Sequence, residues 1–238
     1  MALPVVESYT YTNNGSNSVA TVNMPATRPD GDLYLVMVFV DSDYVTAATG
    51  WTELQAGVTN AECNGWMGYR IGSSEPASYS FTLSSSDESS VHLWRISGFD
   101  ATTPINDSAY FNNLRSNAVC LTLTTTANDC LILQGIGIDD DPLTETPANF
   151  TVLDKNTDQG TIGTGAGRYE AGAPGVKTGS TIGTWVWAYD QFSQLAVAIA
   201  PLQGFPGVAK YNQTTAVNIA NYNGTSKASF ADLNEIIE

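Results

Sequence analysis

Leu33-Tyr34-Leu35-Val36-Met37-Val38-Phe39-Val40 is an unbroken run of eight apolar residues. Its β-branched and aromatic content suits a strand, and it is far shorter than the roughly 20 residues a membrane helix needs. A strand with one wet face alternates apolar and polar residues. This one is apolar at both parities, so the pattern predicts a central strand covered on both faces. Asp30-Gly31 before it and Asp41-Ser42-Asp43 after it supply turn chemistry.

Further strands follow from the same reading. Val5–Thr12, Ser18–Met24, Asp32–Asp41, Trp51–Val58, Gly65–Ile71, Ser78–Leu83 and Val91–Ser97 are expected to be extended, separated by Gly, Pro, Asn and Ser. A second series runs Ala118–Thr124, Cys130–Ile138, Phe150–Asp154, Ala166–Glu170, Thr184–Tyr189 and Leu195–Pro201. The two series match. Asp30-Gly31-Asp32-Leu33-Tyr34-Leu35 answers Asn128-Asp129-Cys130-Leu131-Ile132-Leu133, and Ser18–Val22 answers Ala118–Leu123. Trp51-Thr52-Glu53-Leu54 answers Phe150-Thr151-Val152-Leu153, Gly68-Tyr69-Arg70 answers Gly167-Arg168-Tyr169, and Val91–Phe99 answers Leu195–Phe205. Offsets near 100 residues throughout point to an internal duplication. The expected fold is all-β: a jelly-roll-like β-sandwich over 1–203, built from half-repeats of about 1–100 and 101–203. The short join at Ala101–Thr103 favours one shared core over two stacked copies.

After Pro201 the composition changes. Gly204-Phe205-Pro206-Gly207 breaks regular structure, and Lys210–Ala220, Asn221–Ala231 and Asp232–Glu235 then repeat with a period of 11. The stretch 204–238 is read as an extended C-terminal arm, since Asn223-Gly224 is a turn signal and Thr and Asn are poor helix formers. Tyr211, Ile219, Tyr222, Phe230 and Leu233 form an apolar stripe that two or three such units cannot bury alone. These residues, with Asn223 and Gly224, are the expected partner-binding residues.

Charge narrows the partners. Nine basic against 24 acidic residues give a formal charge of −15. An anion of that size, without a Lys/Arg cluster, is not expected to bind nucleic acid or an anionic membrane. It suits solubility and a basic partner. The N-terminus shows no secretory pattern, and three cysteines without a CxxC pair imply buried free thiols made in a reducing cytoplasm.

No catalytic constellation emerges. The single histidine, His92, shares a face with Trp94 and Ile96 and is expected to be a core or edge residue, there being no GxSxG elbow. One His and three scattered Cys give no zinc spacing. Asp139-Asp140-Asp141 lacks the EF-hand pattern and matches the acidic loop Asp41-Ser42-Asp43, which favours a solvated loop over a calcium site. Glu75 and Glu62 are the best of a poor set of glycosidase carboxylates. Trp51, Trp66, Trp94, Trp185 and Trp187 are expected in the core, with an exposed sugar-stacking pair as the lesser reading. Neither a cofactor nor an enzymatic activity is expected.

The run Pro29–Leu35, with Gly50-Trp51-Thr52, Gly68-Tyr69-Arg70, Glu75-Pro76-Ala77-Ser78-Tyr79 and Arg95-Ile96-Ser97-Gly98, resembles a β-sandwich domain of tailed-bacteriophage virion proteins. Lys210-Tyr211-Asn212 and Asn221-Tyr222-Asn223-Gly224 are similar to Asn-Gly repeats at the ends of some phage head and tail proteins. The resemblance implies a structural protein on the virion exterior, a capsid decoration or tail fibre component assembled in the host cytoplasm. Its implied partners are the major capsid or tail proteins of the particle and further copies of itself. A glycan-binding adhesin or receptor-binding tail protein, meeting a host-surface glycan, is the alternative.

Overall fold

In a computed structural model, residues 3–57, 62–139, 142–155, 163–170 and 172–202 are described. The arm 204–238, and with it Tyr211, Ile219, Tyr222, Asn223, Gly224, Phe230 and Leu233, lies outside the described residues.

The first half builds one sheet. β1 (Val5–Asn23), β2 (Leu33–Asp41), β4 (Thr52–Ala56), β5 (Cys63–Ile71) and β6 (Ser78–Ser97) line up as β1-β6-β2-β5-β4, and β3 (Val45–Ala47) pairs with β6. The second half builds the other. β7 (Ile105–Val119), β9 (Leu131–Ile138), β10 (Thr151–Lys155), β11 (Gly163–Glu170) and β13 (Thr184–Ile199) line up as β10-β11-β9-β13-β7. A ribbon of β8 (Leu123–Thr125) and β12 (Gly175–Lys177), and one helical turn, α1 (Gly179–Ile182), complete the second half.

The duplication holds at the level of register. Leu33 stands opposite Ile71 and Ile96; Leu131 stands opposite Glu170 and Ile199. Thr52 faces Tyr69 as Thr151 faces Arg168. The closing strands therefore match one residue earlier than sequence comparison suggests: Ile96 answers Ile199, and Val91 answers Gln194. Each half fills its own sheet, and among the described residues the chain crosses between layers once, near Gly98–Pro104. The result is the expected all-β sandwich of two similar halves.

The two sheets share one core. Leu33, Leu35, Met37, Phe39, Met67, Trp94 and Ile96 of the first pack with Leu131, Leu133, Ala166, Leu195, Val197 and Ile199 of the second. Volumes across this interface are complementary. A Cβ placed on Gly137 would come within 2.6 Å of Phe39, and one on Gly135 within 2.9 Å of the Met37 sulfur. In the other direction, Gly65 of the first sheet leaves room for Leu195, which a Cβ there would approach to 3.1 Å. Close packing of this kind makes one methylene matter.

The outer faces are covered too, which is why β2 and β9 are buried at both parities. Over the first sheet, β1 and β6 run on past its edge and turn back. Register shifts at Asn14/Asn17 and Asn17/Val19 bend the ribbon, as bulges do. Ala20, Val22, Phe81 and Leu83 then cap Val36, Val38 and Val40. Over the second sheet, Trp185, Trp187, Ile182, Leu143 and Phe150 cover Ile136 and Ile138, while Leu123 covers Ile132 and Ala198.

Candidate functional site

The motifs quoted above, scattered along the first half, meet on the outer face of the first sheet. Arg70 on β5 lies over the rings of Tyr79 (5.0 Å to the centroid) and Trp51 (6.0 Å). Its Nε pairs with Glu75 Oε1 at 3.0 Å, and that carboxylate is fully buried. Tyr79 Oη donates to Glu75 Oε2 at 2.5 Å and the Ser73 amide donates to Oε1 at 3.0 Å. Burial first, and the bond to Glu75 second, push the Tyr79 hydroxyl well above its ordinary pKa. A second pair lies beside the first: Arg95 Nε to Asp32 Oδ2 at 3.2 Å, with Glu7 Oε2 at 3.6 Å from Arg95 Nη2. Desolvation raises the Asp32 carboxyl, against the pull of Arg95. Between the two pairs sits Tyr34, fully buried, whose hydroxyl finds no hydrogen-bond partner among the described residues.

This arrangement can bind and brace. Each arginine is spent on a carboxylate or a carbonyl: Arg95 Nη1 donates to Thr27 O at 2.9 Å and Arg28 Nη1 to Pro25 O at 3.1 Å. Sequence spacing could not show that Trp51, Arg70, Glu75 and Tyr79 touch, because each comes from a different turn or strand.

At the opposite end, acidic groups from both halves gather. Carboxylate oxygens of Glu62, Asp139 and Asp190 lie within 4.8 Å of one another. Asp41, Asp43 and Asp87 form a neighbouring group; burial first, then the nearby Asp41 and Asp43, raise the Asp87 carboxyl. The matched loops at Asp41 and Asp139 therefore do end on the same face. Asp140 and Asp141 lie outside the described residues. The trio could hold a hard cation by its oxygens, although exposed and half-buried carboxylates also stand together in water without one.

The groups with nucleophile or base chemistry are muffled. His92 is fully buried, in contact with Tyr9, Tyr11, Phe39 and Trp94. Its Nδ1 lies 2.5 Å from Tyr9 Oη, and desolvation pulls its pKa down to about 3. Cys63, Cys120 and Cys130 are free and buried; burial raises all three thiols, that of Cys120 to about 12. A thiol so placed is a packing residue. Trp66, Trp94, Trp185 and Trp187 are buried, and Trp51 is half-buried beneath Arg70. Glu75 and Glu62, the two carboxylates singled out for hydrolysis, stand on different elements with different commitments: Glu75 to Arg70 and Tyr79, Glu62 to the acidic trio.

A scan against protein-family models, a search of the curated proteins and a search of the solved structures each gave no match. The resemblance to virion proteins therefore rests on the motifs themselves.

Proposed function

We propose that the chain is a structural component of a larger assembly, an exterior decoration or fibre protein of a tailed-phage particle, held to its neighbours through residues 204–238. One observation carries the reading. Among the described residues, chemistry is consistently given up to packing: the histidine and all three cysteines are buried, and the arginines of the first half brace its turns. What the chain offers instead is a doubly covered sandwich followed by a segment with an apolar stripe at Tyr211, Ile219, Tyr222, Phe230 and Leu233. Such a stripe gains free energy by burial against a neighbour, at about 25 cal/mol per Å² removed from water. Symmetric repetition of one contact explains how a single chain could cover a shell or tube.

The experiment is co-sedimentation of the full chain with the particles assembled in the lysate that produces it. Replacing Tyr211, Tyr222 and Phe230 together by Ser is expected to abolish co-sedimentation while leaving the sandwich's thermal unfolding unchanged. Full occupancy by that variant would remove the anchoring role.

A further inference from the structure

β3 and β4 leave a groove on the outer side of the first sheet. Val45, Thr46, Ala48, Trp51, Glu53 and Trp66 line it, around a cavity of about 110 Å³. Trp66 Nε1 donates to Glu53 Oε2 at 2.7 Å, which fixes a carboxylate against an indole. A carboxylate accepts at about four lone-pair positions, so this bond leaves acceptor capacity at the groove. Trp51 forms the other wall, held by Tyr79 (5.1 Å between centroids) and Phe81 (5.8 Å). Its Nε1 finds no hydrogen-bond partner among the described residues.

The scaffold does not require this set. By register, the second half has Phe150 where the first has Trp51, Val152 where it has Glu53, and Gly165 where it has Trp66. The counterpart of β3 there is reduced to a single bridge, Glu145 opposite Val186. The same sheet is thus built without Trp51, Glu53 or Trp66 at these positions, and Leu143 and Trp185 close over Gly165 instead.

We propose that the groove is a carbohydrate subsite that takes one neutral pyranose at the end of a chain. A pyranose presents an apolar C–H face that lies against an indole and hydroxyls that donate to a carboxylate, and this groove places the two together. The sugar is neutral because a protein of formal charge −15, with Glu53 at the site, repels an acidic one. The small cavity admits part of one ring, so a single contact binds in the millimolar range and gains strength only when many copies are displayed.

The test is an NMR titration of the isolated full chain with methyl glucoside, methyl mannoside and methyl galactoside, read at the indole N–H resonances. One of the three is expected to shift Trp51 and Trp66 saturably. Glu53→Ala is expected to weaken that sugar about tenfold, and Glu53→Gln, which can still accept from Trp66, by less. Val152→Ala, at the equivalent place in the second half, is expected to change nothing. Unmoved Trp94, Trp185 and Trp187 resonances show that each variant is folded. Absence of any shift with all three sugars, or equal affinity in wild type and Glu53→Ala, would overturn the subsite. The titration involves no particle, so its failure leaves the anchoring role of 204–238 as it stands.

Discussion

The two halves solve one problem twice and differ where the solution is free. Both pair five strands in the same order and face the same apolar strand inward. On the outer face they part. Where the first half has Asp32, Tyr34 and Arg95, register puts Cys130, Ile132 and Ala198 in the second. The first half covers its face with a bent ribbon over an apolar cluster and sets the Arg70 and Arg95 ion pairs beside it; the second covers it with β8 and an all-apolar patch. Sheet pairing therefore tolerates either chemistry, and the charged set is an elaboration of one half.

The inner interface breaks this comparison most strongly, because there the halves are not interchangeable. Phe39→Ala is expected to cost about 3–5 kcal/mol in chemical denaturation, since Gly137 offers nothing to refill the space. Gly137→Ala is expected to cost about 1–3 kcal/mol by crowding Phe39. Combining Gly137→Ala with Phe39→Leu should recover part of the loss, and strict additivity of the two would show that the positions do not pack.

The buried carboxylate comes next. Glu75→Ala leaves Arg70 and Tyr79 without their partner. With about a fifth of the Arg70 side chain exposed, the cost falls below that of a fully buried pair, at about 2–3 kcal/mol. A loss under about 0.5 kcal/mol would mean that the stacking on Trp51 and Tyr79 suffices.

His92 sharpens the contrast with its counterpart Leu195. Its folded pKa lies near 3, below the ordinary 6.5. The unfolded chain therefore binds the extra proton first, and stability falls as pH drops from about 6.5 towards 3. The slope is at most about 1.4 kcal/mol per pH unit. The carboxylates titrate in the same window, so the quantity to measure is the difference between wild type and His92→Leu. Parallel acid-denaturation curves would place the histidine in contact with water.

The smallest effect concerns the partly exposed pair. Arg95→Ala imitates Ala198 but strands Asp32 and is expected to cost about 1 kcal/mol. Adding Asp32→Cys and Tyr34→Ile completes the second-half chemistry and should return the loss. Continued destabilisation of the triple variant would mean that the ribbon over the first half needs its charges.

Much of this was legible in the residues. Leu33–Val40 and Leu131–Ile138 declare themselves because both faces are apolar, and the matched turns around them reveal the repeat. The strand β7 does not declare itself. Ile105–Asn117 falls between the two series of expected strands, since Asn106, Asp107, Ser108, Asn112 and Asn113 carry no strand signal. It is an edge strand whose register comes from β13, and its side chains serve as plugs: the Ser108 amide donates to Asp107 Oδ1 and the Leu114 amide to Asn113 Oδ1, both at 2.8 Å. Asn13–Asn17 and Ser84–Ser90 likewise read as breaks, although the ribbon passes through them. Of the two proposed binding surfaces, the stripe at 211–233 is visible as a period. The groove at Trp51 and Trp66 is not, because it depends on which strands lie side by side.

The single crossing between layers has a consequence for synthesis. A ribosome completes the whole first sheet before it begins the second, so Leu35, Met37, Phe39 and Trp94 emerge without their cover. At about 5–20 residues per second, the second half of about 100 residues takes roughly 5–20 s to follow. For that interval the nascent chain shows a broad oily surface, and a holding chaperone is the natural occupant until β9 and β13 arrive.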